Sequence, residues 1–294
     1  MESNRLGRSV LEVSRVGLGC NNFGRRLDAQ RTRQVVETAL DAGIAFFDTA
    51  ESYGDGDSER FLGAALGGRR PQAVVATKFG WAPGDLPGGS PERVRRAIEG
   101  SLERLGTDVV DLYYYHRPDG VTPLAETLGA MQELVTAGKV RALGVSNVDV
   151  ALLREAEASG VEVVAVQNRY SLVHRDDEDG VLPFCREHGI GYVPYFPLES
   201  GLLTGKYRRG EPAPTGSRLA GGSLGDEQFD GVERLEERAE ALGCTLLELA
   251  IGGLASIDGI ASVIAGATTA DQARANAAAG GWRPTAAELE SLLA

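Results

Sequence analysis

Residues 44–54 read IAFFDTAESYG. An apolar run of the kind that forms a buried strand stops on a carboxylate, Asp48. Tyr53 follows five residues later, and Gly54 comes directly after it. The rest of the chain repeats this arrangement. The runs SRVGLG (14–19), AVVATK (73–78), VVDLYYYH (109–116), VRALGVSN (140–147), VEVVAVQ (161–167), IGYVPYF (190–196) and ASVIAG (261–266) are short, apolar and β-rich. Between them lie segments with apolar residues at helical spacing. In TRQVVETALDAG, Val35, Val36, Ala39 and Leu40 form a stripe and Gly43 marks the stop. In SPERVRRAIEGSLERLG, Ser90 reads as the N-cap and Pro91 as the first helical residue, and LAETLGAMQELVTAGK closes on Gly138.

Near-continuous apolar strands alternating with helices suit a parallel sheet covered on both faces. An open doubly wound sheet and a closed barrel both satisfy the pattern. Eight strand-helix units in one chain favour an α/β fold of the (β/α)8, or TIM barrel, type, as a single domain over residues 1–294. The opening NRLGRSVLEVSR predicts a short β-hairpin ahead of the first barrel strand. Residues 207–230 break the alternation with Gly, Pro and charge and read as a long loop.

The composition, 43% hydrophobic and 24% charged, is enough for a substantial core. A net charge of −12 argues against nucleic acid or an anionic membrane as partner. Cys20, Cys185 and Cys244 lie far apart, with no metal-ligand spacing, and are expected to be reduced and structural. The N-terminal segment has no apolar core of a signal peptide, and no run approaches the ~18 residues of a membrane span. The expectation is a cytoplasmic protein acting on a small molecule. DGDSER alternates acids at Asp55, Asp57 and Glu59, but Arg60 stands where a calcium loop needs glycine. That run reads as a solvated helix start, and no metal site is expected.

In a barrel of this type the C-terminal strand ends converge on one mouth. Polar residues fall there: Asp48, Lys78, His116, Ser146, Asn147, Gln167 and Tyr195. Singly, each has a structural explanation as a cap, a surface lysine or a hydrogen-bonded histidine. Together, Asp48, Tyr53, Lys78 and His116 form a proton-delivery device. A buried ammonium beside a phenol is expected to lower its pKa from about 10. Asp48 would hold Lys78, and His116 would bond the substrate carbonyl oxygen or tune the phenol. Tyr53 could then protonate a developing alkoxide.

FDTAESYG, ATKFG, YYYHRPD, LGVSN, VQNRYS, PLESGLLTGKY and SVIAGATTADQARAN stand in the order and at the spacing of the aldo-keto reductases, and the resemblance covers nearly the whole chain. It implies carbonyl reduction with a nicotinamide cofactor held by loops on the C-terminal barrel face. The family's catalytic tetrad falls on Asp48, Tyr53, Lys78 and His116, with Tyr53 the general acid. Ser146, Asn147 and Gln167 match the residues that bond the nicotinamide carboxamide, and Tyr195 matches the aromatic stacked on its ring. Leu198, Ser200, Leu203 and Lys206 match the loop along the pyrophosphate, and Arg218 an arginine that covers the cofactor. Gly266, Thr268, Thr269, Gln272 and Asn276 match the segment around the adenosine 2′-phosphate. Many relatives carry Lys or Arg in that segment, and here Arg274 is the nearest substitute. NADP(H) is therefore the expected cofactor, with NAD(H) as the alternative. GLGCNNFG lacks the third glycine of the Rossmann fingerprint, which fits a barrel. The resemblance also allows a cofactor-binding regulatory or redox-sensing subunit with little turnover. Phe23, Trp81 and Arg117, with Tyr115 an alternative to Arg117, are expected to wall the substrate pocket. Arg117 beside the histidine would suit an acidic substrate, but a turn pairing with Asp119 is the favoured reading. The helix before the last strand carries Gly252-Gly253 where many relatives have Trp-Leu, which points to close backbone packing or a local break.

Overall fold

The computed structural model describes residues 1–81, 86–214, 217–219 and 225–293. Strands β1 (Ser3–Arg5) and β2 (Glu12–Ser14) pair antiparallel as the expected hairpin. Eight parallel strands follow: β3 (Val16–Gly19), β4 (Phe46–Asp48), β5 (Val74–Phe79), β6 (Val110–Tyr115), β7 (Val140–Ser146), β8 (Ala165–Gln167), β9 (Gly191–Tyr192) and β10 (Val263–Gly266). Their order is β10-β3-β4-β5-β6-β7-β8-β9. The ring closes where Tyr192 bridges Ile260 in parallel, its N–H donating to Gly259 O (2.9 Å) and its carbonyl accepting from Ala261 N (2.8 Å). The fold is a (β/α)8 TIM barrel.

Helices α1 (Ala29–Asp41), α2 (Asp57–Leu66), α3 (Pro91–Leu105), α4 (Leu124–Thr136), α5 (Val150–Ala158) and α6 (Val181–His188) connect successive strands from β3 to β9. Between β9 and β10 come α7 (Asp226–Ala241) and α8 (Leu246–Glu248). A π-turn over Leu249–Gly253 continues α8, and α9 (Ala270–Ala279) and α10 (Ala286–Leu293) follow β10. The expected caps are present. Ser90 Oγ accepts from Arg93 N (3.3 Å), and Gly106, Gly43 and Gly138 leave their helices in the left-handed region.

Strand parity positions the site. Phe46, Ala76, Leu112, Tyr114 and Ala165 point into the barrel, where the hairpin's Leu6 and Val13 join them. Phe47, Val75, Tyr113, Val145 and Val166 point outward into the larger core beneath the helices. Because side chains alternate along a strand, stepping two residues on from the inward apolar layer reaches Asp48, Lys78, His116 and Gln167. Gly144 is part of this inner layer. A Cβ there would lie 2.4 Å from the Tyr114 ring, so the glycine makes room for that side chain.

Several boundaries differ from the sequence reading. β9 spans only Gly191–Tyr192, although Val193 N and Tyr195 N still donate to Val166 O (2.8 Å) and Asn168 O (2.9 Å); beyond them Phe196 turns left-handed (φ 56°) and the run ends. The long loop ends earlier than expected, since α7 begins at Asp226. Residues 215, 216 and 220–224 of that loop lie outside the described residues. The glycine pair sits in the π-turn, where a Cβ on Gly252 would meet Ala279 O at 2.7 Å and Trp282 O at 2.9 Å. Close backbone packing and a helix irregularity therefore coincide. Arg15 ties the region together, donating to Gly252 O (3.1 Å), Gly280 O (3.1 Å) and Ser256 Oγ (2.6 Å).

Candidate active site

Lys78 is fully buried, and Asp48 at the end of the neighbouring strand is 2% exposed. Lys78 Nζ donates to Asp48 Oδ1 at 2.5 Å and to Thr49 O at 2.9 Å, and Gln167 Nε2 donates to Asp48 Oδ2 at 2.8 Å. The carboxylate thus links two strand ends across the barrel. Burial alone would lower the lysine's pKa, but the Asp48 charge and Tyr53 reverse this and hold it above the ordinary value. Lys78 is an ammonium at neutral pH.

Tyr53 opens a tight turn, Tyr53–Gly56, in which Gly54 and Asp55 are left-handed (φ 58° and 54°). A Cβ on Gly54 would meet Phe23 O at 2.9 Å, so only glycine lets this loop pack on the one after β3. The Tyr53 ring centre lies 5.1 Å from Lys78 Nζ and 5.8 Å from the His116 ring centre. Burial raises the phenol's pKa. The Lys78 charge lowers it and the Asp48 charge raises it again, and the net result is upward. The expected lowering is thus not realised: Asp48 offsets part of the lysine's field, and burial penalises the phenolate. The hydroxyl keeps its proton at neutral pH.

His116 is buried at the end of β6, with Nδ1 lacking any hydrogen-bond partner. Burial, then the Lys78 and Arg117 charges, lowers its pKa to about 2, so the ring is neutral. Trp81 stands edge-on to it, ring centres 4.7 Å apart, and is 52% exposed. Arg117 lies over the Trp81 ring with Cζ 4.8 Å from its centre.

Across the mouth, Asn147 adopts a left-handed backbone (φ 58°). Its amide donates to His116 O (2.8 Å) and Ser146 Oγ (3.1 Å), while its oxygen accepts from Tyr195 OH (2.8 Å). Ser146 Oγ donates to Gln167 O (2.6 Å). The loop after β9 concentrates unfavourable backbone conformations at Phe196, Glu199 and Ser200, with φ of 56°, 44° and 59°. Each such non-glycine residue costs on the order of 1–3 kcal/mol and persists only under local constraint. Here Glu199 accepts from Arg169 (2.5 Å) and Ser171 (2.9 Å), while Leu198 and Leu203 anchor the loop in the core. Lys206 is exposed, its Nζ 5.2 Å from the Tyr207 ring centre. Arg218 donates to Asn22 Oδ1 (2.8 Å) above the end of β3. Burial first, and then Arg26 and Arg25, lower its pKa.

Gly266 ends β10 beside Asn22, and Asn276 Nδ2 donates to its carbonyl (3.3 Å). Thr269 caps α9, accepting from Gln272 N (3.2 Å), and Gln272 Oε1 accepts from Thr268 N (2.8 Å) and Oγ1 (3.0 Å). Arg274 is engaged by Asp271 at 2.5 Å.

Four further readings need correction. Phe23 is fully buried in the helix-side core and presents no wall to the mouth, because the loop after β3 folds back on itself. Tyr115 is also buried, its hydroxyl accepting from Asp119 N (2.9 Å). Arg117 does not pair with Asp119, whose oxygens are taken up by Gly89, Val121 and Thr122. Glu59 is not solvated. It is fully buried, accepting from Thr77 Oγ1 (2.5 Å) and Arg104 Nε (2.6 Å), so the acid faces β5 and the α3 arginine neutralises it. One contributor went unread. Glu51 Oε1 accepts from Arg93 (2.5 Å) and Gly80 N (3.0 Å), tying the Tyr53 loop to the Trp81 loop; an acid in ESYG and an arginine in PERV were its only sequence signals. Among the described residues no group of His, Cys, Asp or Glu is arranged to hold a metal, and no single helix is long and apolar enough to cross a membrane.

A closed barrel with its polar strand ends at one mouth places the chain among the (β/α)8 proteins. More narrowly, the chain belongs to the aldo/keto reductase family, whose model matches residues 15–292. It is 37% identical over 293 residues to a probable voltage-gated potassium channel subunit beta of Oryza sativa subsp. japonica, covering 92% of this chain and 89% of that one. It superposes with a TM-score of 0.85 on aldo-keto reductase AKR11C1 from Bacillus halodurans in its holo form, at 31% identity over 100% of this chain and 97% of that one. Glycerol dehydrogenase AKR11B4 from Gluconobacter oxydans gives 0.86 at 28% identity, over 99% and 93%.

Proposed function

We propose that the chain, acting as one barrel domain, is an oxidoreductase that reduces an aldehyde or ketone to an alcohol with NADP(H), Tyr53 being the general acid. The observation that carries this reading is the buried Lys78–Asp48 pair at 2.5 Å beneath a protonated Tyr53 and a neutral His116. The family model over residues 15–292 supports it.

The strand ends fit a nicotinamide dinucleotide. The Tyr195 ring stands part-exposed at the mouth, with Ser146, Asn147 and Gln167 beside it as donors and acceptors. The strained loop of Leu198, Ser200 and Leu203, with Lys206 and Arg218, offers two cations to phosphates. Gly266 leaves the backbone open, and α9 presents its N-terminus beside Thr268, Thr269, Gln272 and Asn276. When bound, the nicotinamide supplies a hydride to the carbonyl carbon. Tyr53 gives its proton to the carbonyl oxygen as negative charge develops there. Lys78 stabilises the phenolate left behind, and Asp48 keeps Lys78 charged in its buried position. His116, unprotonated, holds the substrate oxygen by hydrogen bonding, with Trp81 packed against its ring. Because Asp271 engages Arg274, a 2′-phosphate meets hydroxyl and amide groups on this segment, and the preference for NADPH over NADH is expected to be modest.

The similarity to a protein called a potassium channel subunit beta favours a second reading, a cofactor-binding regulatory subunit. NADPH and NADH titrations followed by fluorescence, then absorbance with a panel of aldehydes and ketones, separate the two. Saturable cofactor oxidation supports the enzyme. Tight binding without turnover on any carbonyl supports the subunit, and no binding of either nucleotide defeats both.

A further inference from the structure

Among the described residues, Arg117 is a charge beside the catalytic strand ends that the proposed reaction leaves unused. Among the described residues it makes no ion pair; its contact is with the face of Trp81, Cζ 4.8 Å from the ring centre. Among the described residues, the carboxylates of this region are committed elsewhere. Asp48 holds Lys78, Glu51 holds Arg93, and Asp119 is satisfied by three backbone N–H groups and the Thr122 hydroxyl. Trp81 in turn stands edge-on to His116 at 4.7 Å, so one indole separates the guanidinium from the histidine. Arg117 directly follows His116 in the chain and is exposed.

A guanidinium lying on an aromatic face is held in orientation while its N–H edge stays free, and that edge matches a carboxylate or phosphate in bidentate geometry. The chain as a whole carries a net charge of −12 and offers anions no general attraction, so any preference for them has to be local. Building on the proposed reductase activity, we propose that Arg117 is a specificity residue that selects carbonyl substrates bearing an anionic group, Trp81 acting as the platform that aims it.

The test compares matched substrates in wild type and Arg117→Gln: 4-oxobutanoate against butanal for a carboxylate, glyceraldehyde 3-phosphate against glyceraldehyde for a phosphate. In wild type, kcat/KM is expected to favour the anionic member of at least one pair, and the responding pair identifies the anion. In Arg117→Gln the anionic member should lose about 10- to 100-fold more than its neutral partner, mostly in KM, as expected for one charge-assisted hydrogen bond. Arg117→Lys should restore part of that loss, and NADPH affinity should follow wild type. Equal use of charged and neutral members by wild type overturns the proposal, as does an equal loss for both in Arg117→Gln. A protein that turns over neutral aldehydes with no anionic preference still supports the reductase reading, whereas one that turns over nothing defeats that reading instead.

Discussion

Replacing Asp48 with asparagine keeps the side-chain shape and removes the charge that makes a buried lysine tolerable. Lys78 is fully buried with Nζ 2.5 Å from Asp48 Oδ1. At an effective dielectric constant of about 20, that separation gives roughly 7 kcal/mol of attraction before either ion's desolvation is subtracted. Breaking such a pair from one side costs about 3–5 kcal/mol, because the remaining charge stays buried and uncompensated. The remaining partners of Lys78, Thr49 O at 2.9 Å and the protonated Tyr53 hydroxyl, bring no countercharge. Burial, the largest influence on Lys78, then prevails, and the pKa falls below the ordinary value of about 10.4 instead of standing above it. The two proteins therefore respond to pH with opposite sign. In wild type the folded state binds this proton more tightly than the unfolded chain. That contribution is complete below about pH 10 and disappears as pH rises through the folded pKa. In Asp48→Asn the unfolded chain binds it more tightly, so stability grows as pH rises toward about 10. Urea unfolding followed by circular dichroism from pH 7 to pH 10 reads both effects. The variant should be about 3–5 kcal/mol less stable at pH 7, with the gap narrowing as pH increases. A variant within about 1 kcal/mol of wild type at pH 7, or a gap that ignores pH, refutes the reasoning.

Gly252→Ala places a methyl 2.7 Å from Ala279 O and should cost about 1–3 kcal/mol. Gly129→Ala, in α4 with nothing within 4 Å, should gain about 0.5–1 kcal/mol, so the two melting temperatures move in opposite directions. With Tyr53 above its ordinary pKa, the reductive rate should show no tyrosine-dependent fall until about pH 10 or higher, while alcohol oxidation should climb with pH. With His116 at about 2, neither profile should carry a histidine limb between pH 5 and 8; a limb near 6.5 that vanishes in His116→Gln contradicts the neutral ring.

The barrel was legible because its evidence is local and repeated. Each strand is an apolar run, and strand parity alone carries the reader from Phe46 to Asp48, from Ala76 to Lys78 and from Tyr114 to His116. The hairpin and the caps at Ser90 and Gly106 were legible for the same reason, since their chemistry lies within a few residues. Other misreadings turned on loop folding or on a partner distant in the chain. Phe23 is buried because its loop turns inward, and Glu59 is buried because Arg104, 45 positions away, reaches it. Arg117 finds Trp81 on another strand end in preference to Asp119 two residues away. The direction of the Tyr53 shift depends on a balance between burial and two opposite charges, which no motif encodes.

The central claim is that the Tyr53 hydroxyl delivers the proton. Tyr53→Phe removes one oxygen and leaves Lys78, Asp48 and the cofactor loops as they are. Turnover of the best carbonyl substrate should be measured for both proteins at saturating NADPH, alongside NADPH affinity by fluorescence. The account predicts unchanged nucleotide binding and a fall in kcat of about 10²- to 10⁴-fold. A variant that binds NADPH normally and retains kcat within about tenfold of wild type would contradict it.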